Sequence, residues 1–322
     1  MAGRDAKTAQ QNCRRDRVHR SGSHAQAGVI VMTPHLRFET YANQKVSIGG
    51  QKICFSTNGI AVTPERPTLV LVHGAGGSKL DWPQSWRSVA EATAPFGLPS
   101  MTAVLPGQGG QALHAHPVIA IDLPGHGGSG GQSLSEIDSY GAVVIRFIEA
   151  LGLENVCLVG HSMGVGVVLS AALQSCARIS SLCLIAGAAR MPVTPELLKG
   201  LQNQTEDTVA AIARSCWHKS TPEHFVKTTQ QRMMSAGGNG LLNDFTACSK
   251  LDLSAKLPAL QVPTLILASQ EDRLVKTAEI NAMAQAIPKA QLQIFHECGH
   301  FLHVERASVA AAALAGFLAN AA

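Results

Sequence analysis

The sequence predicts an α/β fold: a mainly parallel central sheet flanked by helices, with a helical cap inserted into it. Three observations point there. Short β-branched runs alternate with amphipathic stretches from residue 35 onward, the pattern of strand–helix–strand units with right-handed crossovers. Those runs are apolar on both faces, as strands covered by helices are. Hydrophobic residues make up 46% of the 322 positions and charged residues 15%, enough for a large buried core and too apolar for a disordered chain.

Residues 1–34 are Arg-, Gln- and Ser-rich, without helical or strand period, and read as a disordered tail. Met32 is a candidate start, since ordered patterning begins just after it. Lys45–Ile48 and Lys52–Ser56 flank Gly49-Gly50 and predict a hairpin. Buried strands are expected at Thr68–His73, Pro117–Asp122, Val156–Gly160, Leu182–Ala186, Thr264–Ser269 and Gln291–Phe295. Helices are expected at Ser135–Leu151, Met163–Ala177, Ala278–Ile287 and Val304–Leu318. Residues 97–116 are rich in Gly, Pro and Gln and read as a surface loop. Residues 190–256 hold helical patterns such as Pro195–Gln202, Asp207–Trp217 and Pro222–Met234, and no convincing strand. That stretch reads as a helical cap over the carboxyl edge of the sheet, where open α/β sheets bind ligands. The core is then 35–189 together with 257–322.

The net charge of +4 lies entirely in residues 1–31, which hold six basic and two acidic residues; the remainder is balanced at 20 of each. A neutral body with nine Phe, three Trp and two Tyr offers no basic surface interleaved with aromatics, so no nucleic-acid partner is expected. None of the eight cysteines forms C-x-x-C, and buried free thiols in a reducing compartment are expected. No apolar stretch reaches the roughly 20 residues of a membrane span. The basic start lacks an apolar h-region, and Asp5 and Asp16 count against a transit peptide. A cytoplasmic protein, monomer or homodimer, is expected. No metal-ligand cluster stands out.

Gly160-His161-Ser162-Met163-Gly164 is a G-x-S-x-G sequence directly between an expected strand and an expected helix. That context makes it a nucleophile elbow: the turn lifts the serine clear of the sheet, and the helix N-terminus beneath favours developing negative charge. A serine needs a base to take its proton. His296, His300 and His303 compete; His300, after Gly299 in the loop beyond the last strand, is preferred, and His303 reads as a packing residue. The base needs an acceptor to fix its tautomer, and Asp272 in the loop after Thr264–Ser269 is preferred over Glu271. His73-Gly74-Ala75-Gly76-Gly77-Ser78 follows another strand. The amides of Ala75 and of Met163 are the natural pair of oxyanion donors. His73 is expected to brace that loop, and His126 in Asp122-Leu123-Pro124-Gly125-His126-Gly127-Gly128-Ser129 to serve structure.

Together HGAGGS (73–78), DLPGHGGS (122–129), GHSMG (160–164), QED (270–272) and GHFLHVE (299–305) resemble the motifs of the α/β-hydrolase superfamily. The chain is similar, over about residues 40–320, to its capped bacterial serine esterase-like members, with the cap after strand six. The resemblance implies the α/β-hydrolase fold, Ser162 as nucleophile, Asp272 as acid, His300 as base, and Ala75 and Met163 as oxyanion donors. Two departures are Val165, where members commonly carry a second glycine, and residues 97–116, which look inserted. Both bear on pocket shape and so on substrate.

The expected activity is hydrolysis of a carboxylic ester or related small acyl substrate through an acyl-enzyme on Ser162, with no cofactor. Serine at the elbow disfavours the dehalogenase and epoxide hydrolase relatives, which use Asp there. The same triad could serve a C–C bond hydrolase or lyase, an acyltransferase or a perhydrolase, and the scaffold could also be a non-catalytic receptor-like binding module. Trp217, Phe225, Met233, Met234, Phe245 and Phe301 are the candidates to line the pocket, and those of the cap read equally well as ordinary cap core, the preferred reading for most of them.

Overall fold

The computed structural model describes residues 43–87, 113–174, 177–191, 193–203, 206–235 and 239–321. The expected tail at 1–34 and most of the expected loop at 97–116 lie outside the described residues.

The chain enters through a hairpin. Strands β1 (Gln44–Ile48) and β2 (Gln51–Thr57) pair antiparallel across Gly49 and Gly50. Both glycines have positive φ, +58° and +83°, which a two-residue turn matching the strand twist requires. Six strands follow: β3 (Thr68–Val72), β4 (Val118–Ile121), β5 (Val156–His161), β6 (Ile179–Ile185), β7 (Thr264–Ser269) and β8 (Ala290–Phe295). The sheet order is β1-β2-β4-β3-β5-β6-β7-β8. β2 pairs antiparallel with β4, and every pairing from β4 to β8 is parallel. β3, β4, β5 and β7 are buried at every position, which is why they read as unbroken apolar runs.

The helices are α1 (Gln84–Arg87), α2 (Ile137–Ala150), α3 (Met163–Leu173), α4 (Pro195–Gln202), α5 (Glu206–Cys216), α6 (Glu223–Ser235), α7 (Gly240–Ser249), α8 (Thr277–Ala286), α9 (Leu302–Glu305) and α10 (Ala307–Ala321). Strand side chains alternate between two cores. Val70, Val72 and Leu158 pack with α2, α3 and α8 on one face. Leu69, Leu71, Cys157 and Val159 pack with Trp86 of α1 and with Leu314 and Phe317 of α10 on the other. The last helix, expected as one piece, breaks at Arg306 (φ −127°, ψ 40°), whose guanidinium turns back to the Glu297 carbonyl at 3.0 Å. The six described cysteines are buried and free of disulfides.

Between β6 and β7 the described residues form α4 to α7 and a short 3-10 segment, Ser254–Ala259. α4 starts where Thr194 accepts the Leu197 amide at 3.2 Å and Pro195 occupies the first turn, a strong start signal. α7 has no counterpart among the expected helices. Gly240, Asn243, Thr246 and Ser249 lower its helix propensity and interrupt its apolar period.

Candidate active site

The sharpest local constraint is the turn between β5 and α3. One residue, Ser162, joins the strand that ends at His161 to the helix that begins at Met163. It does so at φ +56°, ψ −121°, backbone that costs an L residue about 1–3 kcal/mol unless its surroundings impose it. They do. The Ser162 amide donates to the Ile185 carbonyl on β6 at 3.0 Å. Strand and helix approach so closely that a Cβ at Gly160 would stand 2.3 Å from the Gly164 oxygen, and one at Gly164 2.2 Å from that of Val72. Val165, the departure from the expected glycine, is fully buried beside Gly187.

Of the three competing histidines, His300 alone meets a buried carboxylate. Its Nδ1 donates to Asp272 Oδ2 at 2.8 Å, and both side chains are buried. The other oxygen of Asp272 accepts the amides of Leu274 and Val275 at 2.8 and 3.0 Å. Both oxygens are thus engaged, and the His300 tautomer is fixed with Nε2 left for chemistry. His300 and Ser162 line the same cavity. His296 instead sits on the surface, its side chain 70% exposed, 3.9 Å from Glu271. His303 is enclosed by Trp82, Trp86 and His161, with ring centroids 4.9, 6.4 and 4.3 Å away. Burial pushes it down to about 3, so it is a neutral packing group.

His161, inside the elbow motif, has a role the sequence did not flag. Its Nε2 donates to the His300 carbonyl at 3.1 Å, tying the elbow to the loop that carries the candidate base. Burial first, then His303 and His300, hold His161 well below the ordinary imidazole range.

The loop after β3 comes up against the serine: a Cβ at Gly74 would stand 3.0 Å from Ser162 Cβ. Ala75 lines the cavity, and Met163 is the first residue of α3, where helix amides have no partner in a preceding turn. His73 donates from Nδ1 to the Gly74 carbonyl at 2.8 Å and accepts the Leu123 amide on Nε2 at 3.0 Å. One donor and one acceptor require the neutral ring. Burial, then His126, hold His73 below its ordinary value. It braces this loop against the one after β4, as expected of it. Asp122 adds a second tie, accepting the Lys79 ammonium at 2.6 Å and the Lys79 amide at 2.7 Å.

The cavity that holds Ser162 and His300 is partly open to solvent. Met233, Phe245 and Phe301 line it, with Ile212 and Leu274. Trp217 and Phe225, the other candidates, are core residues of a cluster in which the helical insertion meets Phe301 and Val304. There the indole N–H of Trp217 finds Thr229 Oγ1 at 2.9 Å, the kind of partner a buried Trp needs. Met234 points to solvent. Two further lining residues, missed in the sequence, are Asp81 and Arg232, which pair with each other at 2.6 Å. The thiol lining the cavity, Cys216, is pushed above the ordinary thiol range by burial and then by Asp272, so it stays protonated. Among the described residues no group of three or more His, Cys, Asp or Glu could hold a metal ion, and no helix is long and apolar enough to cross a membrane.

The insertion is fastened to the loops that carry these groups. Phe301 donates its amide to the Cys216 carbonyl at 3.1 Å, and Arg273 donates to the Trp217 carbonyl at 2.8 Å. Glu305 accepts the amides of Gly299 and His218 at 2.6 and 3.1 Å.

A sequence model of the Alpha/beta hydrolase family matches residues 69–313, from the start of β3 into α10. The chain belongs to this family. It is similar to the human monoacylglycerol lipase ABHD6, 26% identical over 302 residues that cover 84% of this chain and 80% of that one. It is likewise similar to the 2-hydroxy-6-oxononadienedioate/2-hydroxy-6-oxononatrienedioate hydrolase of Paraburkholderia phymatum, 25% identical over 259 residues that cover 75% of this chain and 83% of the relative. Among solved structures, an esterase from Exiguobacterium antarcticum superposes with a TM-score of 0.71 at 18% identity, over 88% of this chain and all of that one. The enol-lactonase from Burkholderia xenovorans LB400 gives 0.70 at 18% identity, over 86% of this chain and all of that one. These likenesses in structure speak for the fold.

Proposed function

We propose that this α/β-hydrolase is a serine hydrolase that cleaves a carboxylic ester through an acyl-enzyme on Ser162. The observation that carries the reading is the buried Asp272–His300 hydrogen bond of 2.8 Å beside a serine held at φ +56° in the same cavity. His300 Nε2 takes the Ser162 proton as Oγ attacks the ester carbonyl, and the amides of Ala75 and Met163 receive the oxyanion. Each such donor is worth about 3 kcal/mol in the transition state. The tetrahedral intermediate expels the alcohol, which takes its proton from His300. Water, deprotonated by His300, then releases the acid and restores Ser162. Asp272 orients the imidazole and stabilises its charged form. The helices of 190–256 act as the cap that excludes water.

The cavity favours an uncharged acyl group. Of the ionised side chains lining it, Arg232 and Asp81 neutralise each other at 2.6 Å, so a substrate carboxylate would face Asp81 as much as Arg232. That weighs against a dicarboxylate such as the one named for the Paraburkholderia relative. The test is a panel of neutral esters, thioesters, lactones and dienolic diketones run on wild type and Ser162→Ala. Turnover of neutral esters that falls to background in the variant is expected. Diketone cleavage without ester turnover would move the assignment to C–C hydrolysis. Identical behaviour of wild type and variant would leave a binding module.

A further inference from the structure

The loop after β3 is shaped from outside the core. Gly74–Gly77 form a β-turn closed by the Gly77 amide donating to the Gly74 carbonyl at 3.1 Å. Gly76 stands at its third position with φ +62°. Positive φ there is the type II geometry, in which the middle peptide is flipped relative to type I. The N–H of that middle peptide belongs to Gly76, and it donates to Asp244 Oδ2 at 2.7 Å. Asp244 comes from α7 and is fully buried. Leu241, one turn earlier on α7, lies so close that a Cβ on Gly76 would stand 2.6 Å from its Cδ1.

Two more donors converge on the same carboxylate. The Tyr140 hydroxyl donates to Oδ1 at 2.7 Å, and His126 Nε2 donates to Oδ2 at 2.8 Å. The other nitrogen of His126, Nδ1, faces the Pro124 carbonyl at 2.9 Å. A carbonyl and a carboxylate can only accept, so both ring nitrogens carry protons and the ring is an imidazolium. Burial lowers its pKa, but the bond to Asp244 and the carboxylate charge outweigh this and hold His126 above the ordinary imidazole range. A buried carboxylate with three donors, one of them a cation, has a fixed position. The imidazolium and the tyrosine therefore anchor Asp244, and Asp244 anchors the turn.

We propose that Asp244 is a positioning residue for the oxyanion hole. By holding the Gly76 amide it keeps the middle peptide of the turn flipped, with Ala75 at the second position and its own amide left for the substrate oxygen. The cap is then a working part of the hole as well as a cover. The inference rests on the serine-hydrolase reading above. A uniformly structural role for Asp244 would shift substrate affinity and stability. A positioning role falls on the transition state and so on kcat.

The test uses the full chain and whichever acyl substrate of the panel the wild type turns over fastest. Asp244→Asn keeps the volume but loses the charge and puts an amide N–H₂ among donors. It is expected to lower kcat tenfold or more while KM stays within about twofold. Inhibition by a trifluoromethyl ketone, whose tetrahedral adduct needs the hole, is expected to weaken by the same factor as kcat/KM. A folded variant with wild-type kcat, or one changed in KM alone, would overturn the proposal. Should Asp244→Asn not fold, Tyr140→Phe decides. It removes one of three donors and is expected to cost two- to fivefold in kcat with a matching loss of ketone affinity; unchanged values would overturn the proposal. An inactive wild type would count against the serine-hydrolase reading, whereas an active wild type with an indifferent variant counts against this one.

Discussion

Ser162 carries the cost of an unfavourable φ because β6 and the glycines on either side of it leave no other path. Around it, histidines of one chemical type are sorted into different roles by their partners. His300 donates to a buried carboxylate, His73 donates once and accepts once, His126 donates twice, and His303 sits among aromatic rings. The prediction at this scale follows from those partners. His300→Ala is expected to lower kcat by about two to four orders of magnitude, the usual contribution of a general base. His296→Ala, at a surface ring, should stay within about twofold. Steady-state kinetics on one ester checks both, and the reverse pattern would make His296 the base. The preference for His300 could be read from the sequence, because a glycine-led loop beyond a strand is where a base can project over the sheet edge. The partners of His126 could not. Asp244 lies 118 positions away in a helix without a clean apolar period, and nothing local marks a buried carboxylate.

Elements recognised from the sequence are those with strong, uniform patterns. The all-apolar strands and Pro195–Gln202, with its Thr194 cap, match their expected positions closely. α7 and the break at Arg306 depend on tertiary partners and gave no pattern to find. Where elements meet, α1, the elbow and α9 share one aromatic nest of Trp82, Trp86, His161 and His303. Its pH dependence has a definite sign. His303 is held at about 3 in the folded state, below the ordinary value near 6.5. Below that ordinary value the unfolded chain binds a proton that the folded chain does not, so the stabilisation present above it is lost as pH falls toward 3. By pH 5 this one ring costs about 2 kcal/mol. Thermal melts at pH 7 and pH 5 are expected to show His303→Leu losing fewer degrees than wild type over that interval. An equal or larger loss would mean that His303 is not buried neutral.

At the scale of the whole molecule, the sheet and its two cores were evident in the alternation of apolar runs, and the family match over residues 69–313 agrees with it. The neutral body expected from the charge count has a local counterpart in the Arg232–Asp81 pair, which leaves the cavity lining without a net charge from its acid and guanidinium groups. What the sequence withheld is how the insertion meets the core, since that is settled by single hydrogen bonds between distant residues such as Phe301 and Cys216. The proposed chemistry centres on one serine. The most direct measurement is therefore mass spectrometry of the whole protein after exposure to a fluorophosphonate, on wild type, Ser162→Ala and His300→Ala. One adduct on Ser162 is expected in wild type, none in Ser162→Ala, and labelling slowed at least a hundredfold in His300→Ala. Wild-type protein that is folded and stays unlabelled, or that carries its adduct on another residue, would contradict Ser162 as the activated nucleophile.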